Sequence, residues 1–285
     1  MTALSPIRSS EVAATESARA ASRRCSPRGL LTRLSPLLCA LGLLAGWQLW
    51  VVVGHVAPYL VPAPTRIIGA FIGARDLLGP HVVTTTAEAL LGLAAGAGTG
   101  VVLAIILASV VTVRRMLYPL LVASQTVPMV VLAPLLVLWF GYGMTPKVVV
   151  VALIVFFPVV VSTVTGLAGV DPEMVDLVRS MGSSRWDVLR TVQLPAAVPA
   201  FFAGLRISAA YAVAGAVIGE WVGAEKGLGV FIDRSRASYA VDRIFVAVAV
   251  IALLSMALFA AVQYAARLAS PWMYVKGDAE GRGSR

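Results

Sequence analysis

Between Asp171 and Pro199 the chain reads DPEMVDLVRSMGSSRWDVLRTVQLPAAVP, with four acids and three arginines in a sequence otherwise almost continuously apolar. Acids and arginines grouped this way do recognition chemistry, offering charge-assisted hydrogen bonds to a polar partner surface. They do not spell catalysis. The only histidines, His55 and His81, fall at segment boundaries, and no Ser/His/Asp or Cys/His arrangement forms around them. We therefore expect no enzymatic activity in the chain itself. The elements that must position these charges can be read locally. Asp171 suits a helix N-cap, Pro172 the first helical position, and Glu173 the positive end of the dipole. Met174, Leu177, Val178 and Met181 recur at i, i+3, i+4 and i+7, one apolar face expected to pack under the rest of the chain. Gly182 stops this helix, and Ser184 with Asp187 resembles a capping box opening a second short helix that ends before Pro195. Arg179, Arg185, Arg190 and Asp187 are left for a partner.

The surroundings are membrane-like. Of 285 residues 59% are hydrophobic and 13% charged, with mean hydropathy +0.88, whereas a soluble domain carries about 25% charged residues. The expected class is an all-α polytopic membrane protein of about six transmembrane helices. A net charge of +9 is read through the positive-inside rule rather than as a nucleic-acid footprint, since no basic stripe is interleaved with aromatics. Cys25 and Cys39 are too few for a disulfide framework, and no ligand cluster suggests a metal.

Residues 1–33, rich in Ser, Ala and Arg, read as a disordered cytoplasmic tail. The uncharged run that follows is too long for a signal-peptide core and reads as a retained first span over 35–54, with an external loop to residue 83. Further spans are expected over 84–111, 117–141, 147–169, 200–222 and 244–266, and a cytoplasmic tail over 269–285. Gly92, Gly96 and Gly100 form a doubled GxxxG for close helix packing. The third span carries Pro119, Pro128 and Pro134 around Ser124-Gln125-Thr126, which makes it the most pore-like. With six spans, sixteen of the 23 Lys and Arg residues share the side of the termini and of 171–199, which makes that side cytoplasmic.

Ionisable groups at membrane depth are functional candidates. Glu220 beside Trp221 can line a cavity or gate, or can be an interfacial acid bonded to a neighbouring helix. Glu88 reads as a cap near the external boundary. Ser124, Gln125, Trp139 and Tyr211 complete the candidate translocation pathway. No GxxxxGK[ST] occurs, and GAEKGLG (223–229) reads as a flexible external loop.

Asp176-Leu177-Val178, three residues, Gly182, nine residues, Val192, one residue and Leu194-Pro195 fit the pattern E-A-A-x(3)-G-x(9)-I-x-L-P. This resembles the cytoplasmic motif of permease subunits of bacterial binding-protein-dependent ABC importers, and the resemblance covers roughly 81–268. Asp176 stands for the usual Glu, and Leu177-Val178 for two alanines. The resemblance implies a type I importer permease fold whose 171–199 segment couples to a separate ATPase subunit through Asp176, Gly182, Ser184, Arg185, Asp187, Leu194 and Pro195. It also implies two ATPase copies that use the ATP, a second permease copy in a homodimer, an extracytoplasmic solute-binding protein, and no cofactor held by this chain. Segments 124–147 and 215–235 look like the branch importing nitrate, sulfonates, taurine, or pyrimidine- and flavin-type vitamin precursors, and are closer to the last. The alternatives are a self-contained secondary transporter or channel, which would show more spans or an internal repeat, and a membrane scaffold without transport.

Overall fold

The computed structural model describes residues 27–271, and the regular structure among them is helical. Hydrocarbon offers no water to backbone groups, and a helix satisfies them all within one segment. In chain order the helices are α1 (Pro27–Val53), α2 (Pro64–Ser109), α3 (Val111–Ser124), α4 (Met129–Phe140), α5 (Thr145–Ala168), α6 (Pro172–Ser180), α7 (Arg185–Val188), α8 (Leu194–Glu220), α9 (Leu228–Ala237) and α10 (Val241–Ala269), with a π turn (Leu189–Gln193) between α7 and α8. The chain divides into two compact units at Thr65/Arg66. In the first, α1 begins at Pro27, inside the stretch expected as a tail. Gln48 ties it to Thr65 in the first turn of α2, donating from Nε2 to Thr65 Oγ1 (3.2 Å) while its Oε1 accepts from Thr65 N (3.3 Å). The rest of the expected N-terminal tail, and nearly all of the expected C-terminal one, lie outside the described residues.

The second unit is built around α5. Its valines 151, 155 and 159 are fully buried with Ala89 and Leu93 of α2, Ala209, Ala212, Val213 and Ala216 of α8, and Val262 of α10. Both neighbours approach α5 through glycines. A methyl group at Gly96 of α2 would stand 2.5 Å from the Ala152 carbonyl oxygen, and one at Gly100 3.0 Å from Val159 Cγ1. On the other flank a methyl at Gly204 of α8 would stand 2.6 Å from the Pro158 carbonyl oxygen, and one at Gly215 2.7 Å from Ile154 Cδ1. Water-to-lipid transfer does not drive helices together inside a membrane, so close van der Waals contact of this kind has to.

Three expected boundaries are corrected. The second span is part of a helix of 46 residues, about 69 Å at 1.5 Å per residue, so it outruns a hydrocarbon core of about 30 Å. Pro64 occupies the first helical position, where its missing N–H costs nothing, and Pro80 lies on an exposed face. The loop expected to reach residue 83 therefore ends at 63. The third span is not one rod: α3 and α4 meet at a bend of 100°, because Pro128 takes extended geometry (φ −65°, ψ 124°) ahead of Met129. The fifth span starts earlier, since helix runs continuously from Arg185 to Glu220. Among the described residues four helices are long and apolar enough to cross a membrane, five with the bent pair as one, and Leu38–Val53 is a shorter apolar helix.

Candidate functional site

The polar interlude folds as its residues dictate. Asp171 Oδ1 accepts from Glu173 N at 2.9 Å, capping α6, and Pro172 opens it. Gly182 has φ +87°, with nothing within 4 Å of where a Cβ would stand, so glycine is needed there for its backbone angle and not for room. The capping box forms reciprocally: Ser184 Oγ accepts from Asp187 N (3.2 Å) and Asp187 Oδ2 accepts from Ser184 N (3.0 Å).

The second helix does not stop before Pro195. Proline has no N–H to give and its ring crowds the carbonyl four residues back, which ordinarily breaks a helix. Here the preceding turn widens, with Leu194 N donating to Leu189 O in π register, and the helix passes through Pro195 into α8. Leu194 is half-buried and Pro195 exposed. Leu189 is buried with Leu167 of α5 and Ala197 of α8, which fixes the base of the segment to the bundle. From Arg185 onward the segment and its membrane span are thus one continuous helix.

The expected apolar face of α6 points the other way. Val175 is the residue turned inward, with Val178 half-buried, whereas Met174 (55%), Leu177 (62%), Met181 (78%) and Trp186 of α7 (62%) are exposed. The helical period was correct but the buried stripe lies one position round. Asp176 and Arg179 form an exposed pair at 3.7 Å, and Arg185 and Arg190 are exposed as well. An apolar ridge with a charged rim is the anatomy of an interface.

At the opposite end of the bundle the structure assembles a buried polar cluster. Glu220, at the end of α8 and 1% exposed, accepts from Thr85 Oγ1 of α2 (2.5 Å) and from Gly229 N (2.6 Å). Thr85 Oγ1 accepts from Leu228 N (2.8 Å), and His81 Nδ1 accepts from Gly227 N (2.9 Å), so α2 holds the turn that opens α9. Gly227 has φ +134° and lies against the Glu220 carboxyl, where a Cβ would overlap it. Glu88, also 1% exposed, pairs with Lys147 Nζ of α5 at 3.5 Å. It stands in the middle of α2 and caps nothing. A cavity of about 670 Å³ opens beside Glu88 and Lys147, walled by Tyr142 and residues 223–226.

The structure places Glu220 inside this network, with its carboxylate engaged by its own chain. Ser124 and Gln125 are exposed at the α3–α4 bend, the former donating to Leu121 O at 2.7 Å. Trp139, Tyr211 and Trp221 are exposed and, like Ser124 and Gln125, do not line that cavity. Sequence reasoning missed His81, Thr85 and Lys147. Charge at membrane depth singled out the two acids, and nothing in the local pattern named their partners.

Comparison with known proteins agrees with this architecture. Residues 100–274 match the family described as "Binding-protein-dependent transport system inner membrane component". The chain is 38% identical over 231 residues to a probable ABC transporter permease protein of Haemophilus influenzae, covering 81% of this chain and 94% of that one. It is 36% identical to the formylaminopyrimidine transport permease protein of Halalkalibacterium halodurans, over 84% and 96% of the two chains. Identity to the putative aliphatic sulfonates transport permease protein of Bacillus subtilis is 31%, over 76% and 79%. Among solved structures, an inward-facing MetNI methionine ABC transporter superposes with TM-score 0.62 at 18% identity, over 69% of this chain and 98% of that one, a likeness of fold. The spans, the motif spacing and these matches converge: the chain belongs to the binding-protein-dependent transport system inner membrane components, the permease subunits of ABC importers.

Proposed function

We propose that this permease imports a vitamin or vitamin precursor of pyrimidine or flavin type, as a homodimer that takes ATP-driven motion from two ATPase subunits through α6 and α7. An extracytoplasmic binding protein delivers the solute, the ATPase subunits bind the nucleotide, and both termini lie in the cytoplasm. The observation that carries the coupling role is the set of exposed apolar side chains Met174, Leu177 and Met181 at α6 and Trp186 on the helix that continues into α8. A push received at Trp186 travels along that unbroken helix into the span. The charged rim, Asp176, Arg179, Arg185 and Arg190, sets register on the partner. The higher identity to the formylaminopyrimidine permease than to the sulfonate permease supports the solute class. Nitrate, alkanesulfonate or taurine import is the second reading.

Proteoliposomes holding the permease, its ATPase subunit and its binding protein test both parts. Stimulation of ATP hydrolysis by a pyrimidine or flavin solute, and not by taurine or nitrate, is the expected result. Stimulation only by the anions overturns the solute class. Uptake by the permease alone, with no ATPase subunit present, overturns the coupling.

A further inference from the structure

The cavity of about 670 Å³ beside Glu88 and Lys147 has the size of a small-molecule site. Packing fixes its polar groups. The stem of Lys147 lies on Gly219 of α8, where a methyl group would stand 3.1 Å from Lys147 Cα and 3.3 Å from Cγ. An ammonium carries three hydrogens, and among the described residues the partner of this one is Glu88, at 3.5 Å. Glu88 is itself buried, and its Oε2 has no hydrogen-bond donor among the described residues. A buried acceptor without a donor is costly, and native structures rarely leave one so. One wall is aromatic. The Tyr142 ring lies against Gly223, where a methyl would stand 2.4 Å from its Cε1, while the side chain is otherwise open, 81% exposed.

Charge narrows what can enter. On the lining, Glu88 and Glu225 are matched by Lys147 and Lys226, so the wall has no net charge. A simple anion gains little from such a wall and meets the Glu88 carboxylate in it. A neutral ligand that offers an N–H to Glu88 and an acceptor to Lys147 satisfies both groups at once.

We propose that Glu88, Lys147 and Tyr142 form a solute subsite in the permease itself, for a planar nitrogen heterocycle carrying an N–H donor beside an acceptor. Glu88 Oε2 takes the N–H, the Lys147 ammonium gives a hydrogen to a ring nitrogen or carbonyl oxygen, and the ring stacks on Tyr142. Aminopyrimidines carry that edge, and so does the uracil-like edge of a flavin. The ring chemistry rests on the solute class proposed above; the cavity and its polar groups do not. The permease then reads the solute itself rather than passing whatever is delivered.

Riboflavin fluorescence, titrated with the full chain in lipid nanodiscs without ATPase subunit or binding protein, tests the site. Saturable quenching is expected, displaced by cytosine and not by taurine or nitrate. Tyr142→Ala should weaken binding several-fold and Tyr142→Phe should not, because stacking needs the ring and not the hydroxyl. Tyr142 is exposed, so neither change disturbs the helix packing. Glu88→Gln, which keeps the shape but exchanges an acceptor for a donor, should weaken binding as well. No saturable quenching, equal quenching in Tyr142→Ala, or displacement by taurine overturns the subsite. Undiminished binding in Glu88→Gln removes that residue from it. Stimulated ATP hydrolysis in the proteoliposomes with no binding here leaves the solute class standing and removes the subsite. Binding here without stimulation there does the reverse.

Discussion

Single residues decide how closely the helices of this permease meet. Gly96 faces the Ala152 carbonyl of α5, whereas Gly98, two residues on, has nothing within 4 Å of its would-be Cβ. Gly96→Val should lower the thermal unfolding midpoint in detergent, at a cost of about 1–3 kcal/mol or more for overpacking, while Gly98→Ala leaves it unchanged. Equal effects at both positions would contradict the packing described. Lys147 supplies the ammonium facing Glu88, and both are buried. Lys147→Met should cost roughly 3–5 kcal/mol, because it strands a buried acid. Adding Glu88→Gln should recover much of that loss, since the stranded charge is then gone. Unfolding of the two singles and the double in one cycle measures the coupling.

At the scale of elements, the lever from Arg185 to Glu220 depends on a π turn that holds one residue more than an α turn. Deleting Thr191 should let that turn relax to α register with little rotation of its flanks, whereas inserting one alanine after Ala196, in regular helix, should rotate α6 and α7 by about 100° relative to the rest of α8. With that alanine added, membrane insertion should survive, and solute-stimulated ATP hydrolysis should not. Gly182 separates α6 from α7 through its positive φ, so Gly182→Val should weaken coupling more than Gly182→Asn, the asparagine tolerating that region better. Leu177 lies at the centre of the exposed ridge. Replacing it with Asp should abolish co-purification of the ATPase subunit, as burying such a side chain is worth about 1.5–3 kcal/mol. Retained co-purification would move the interface elsewhere. Much of this segment was legible beforehand, because caps, helical period and the motif are local. Two features were not. The inward stripe falls on Val175 because the base of the segment is anchored at Leu189, which orients α6 from outside its own sequence. Pro195 reads as a terminator unless the turn ahead of it is known to widen.

For the whole molecule, α5 is the axis on which α2 and α8 converge, and the two ends of the bundle have different tasks. The end bearing α6 and α7 exposes apolar side chains beside charged ones, the proposed docking surface. The other end ties α2, α5, α8 and the start of α9 together through Thr85, Glu88, Lys147 and Glu220. Because α8 runs unbroken between them, a tilt imposed at Trp186 must reach Glu220.

The sequence by itself determined that the chain is helical and membrane-spanning, and it supplied the orientation and the docking segment proposed above. Those properties rest on composition, charge asymmetry and spacing within a few turns of helix, and each can be read without knowing what lies opposite. It also marked Gly92, Gly96 and Gly100 as a surface for close approach. Only the tertiary structure decided that α5 fills that surface and that Gly204 and Gly215 serve its other flank. Only the tertiary structure brought Glu220 to Thr85, 135 positions away, and Lys147 to Glu88. An unpaired acid in an apolar run announces that a partner must exist, because burying a lone charge is too costly. Which residue meets it depends on the packing of distant helices, and no local period carries that information.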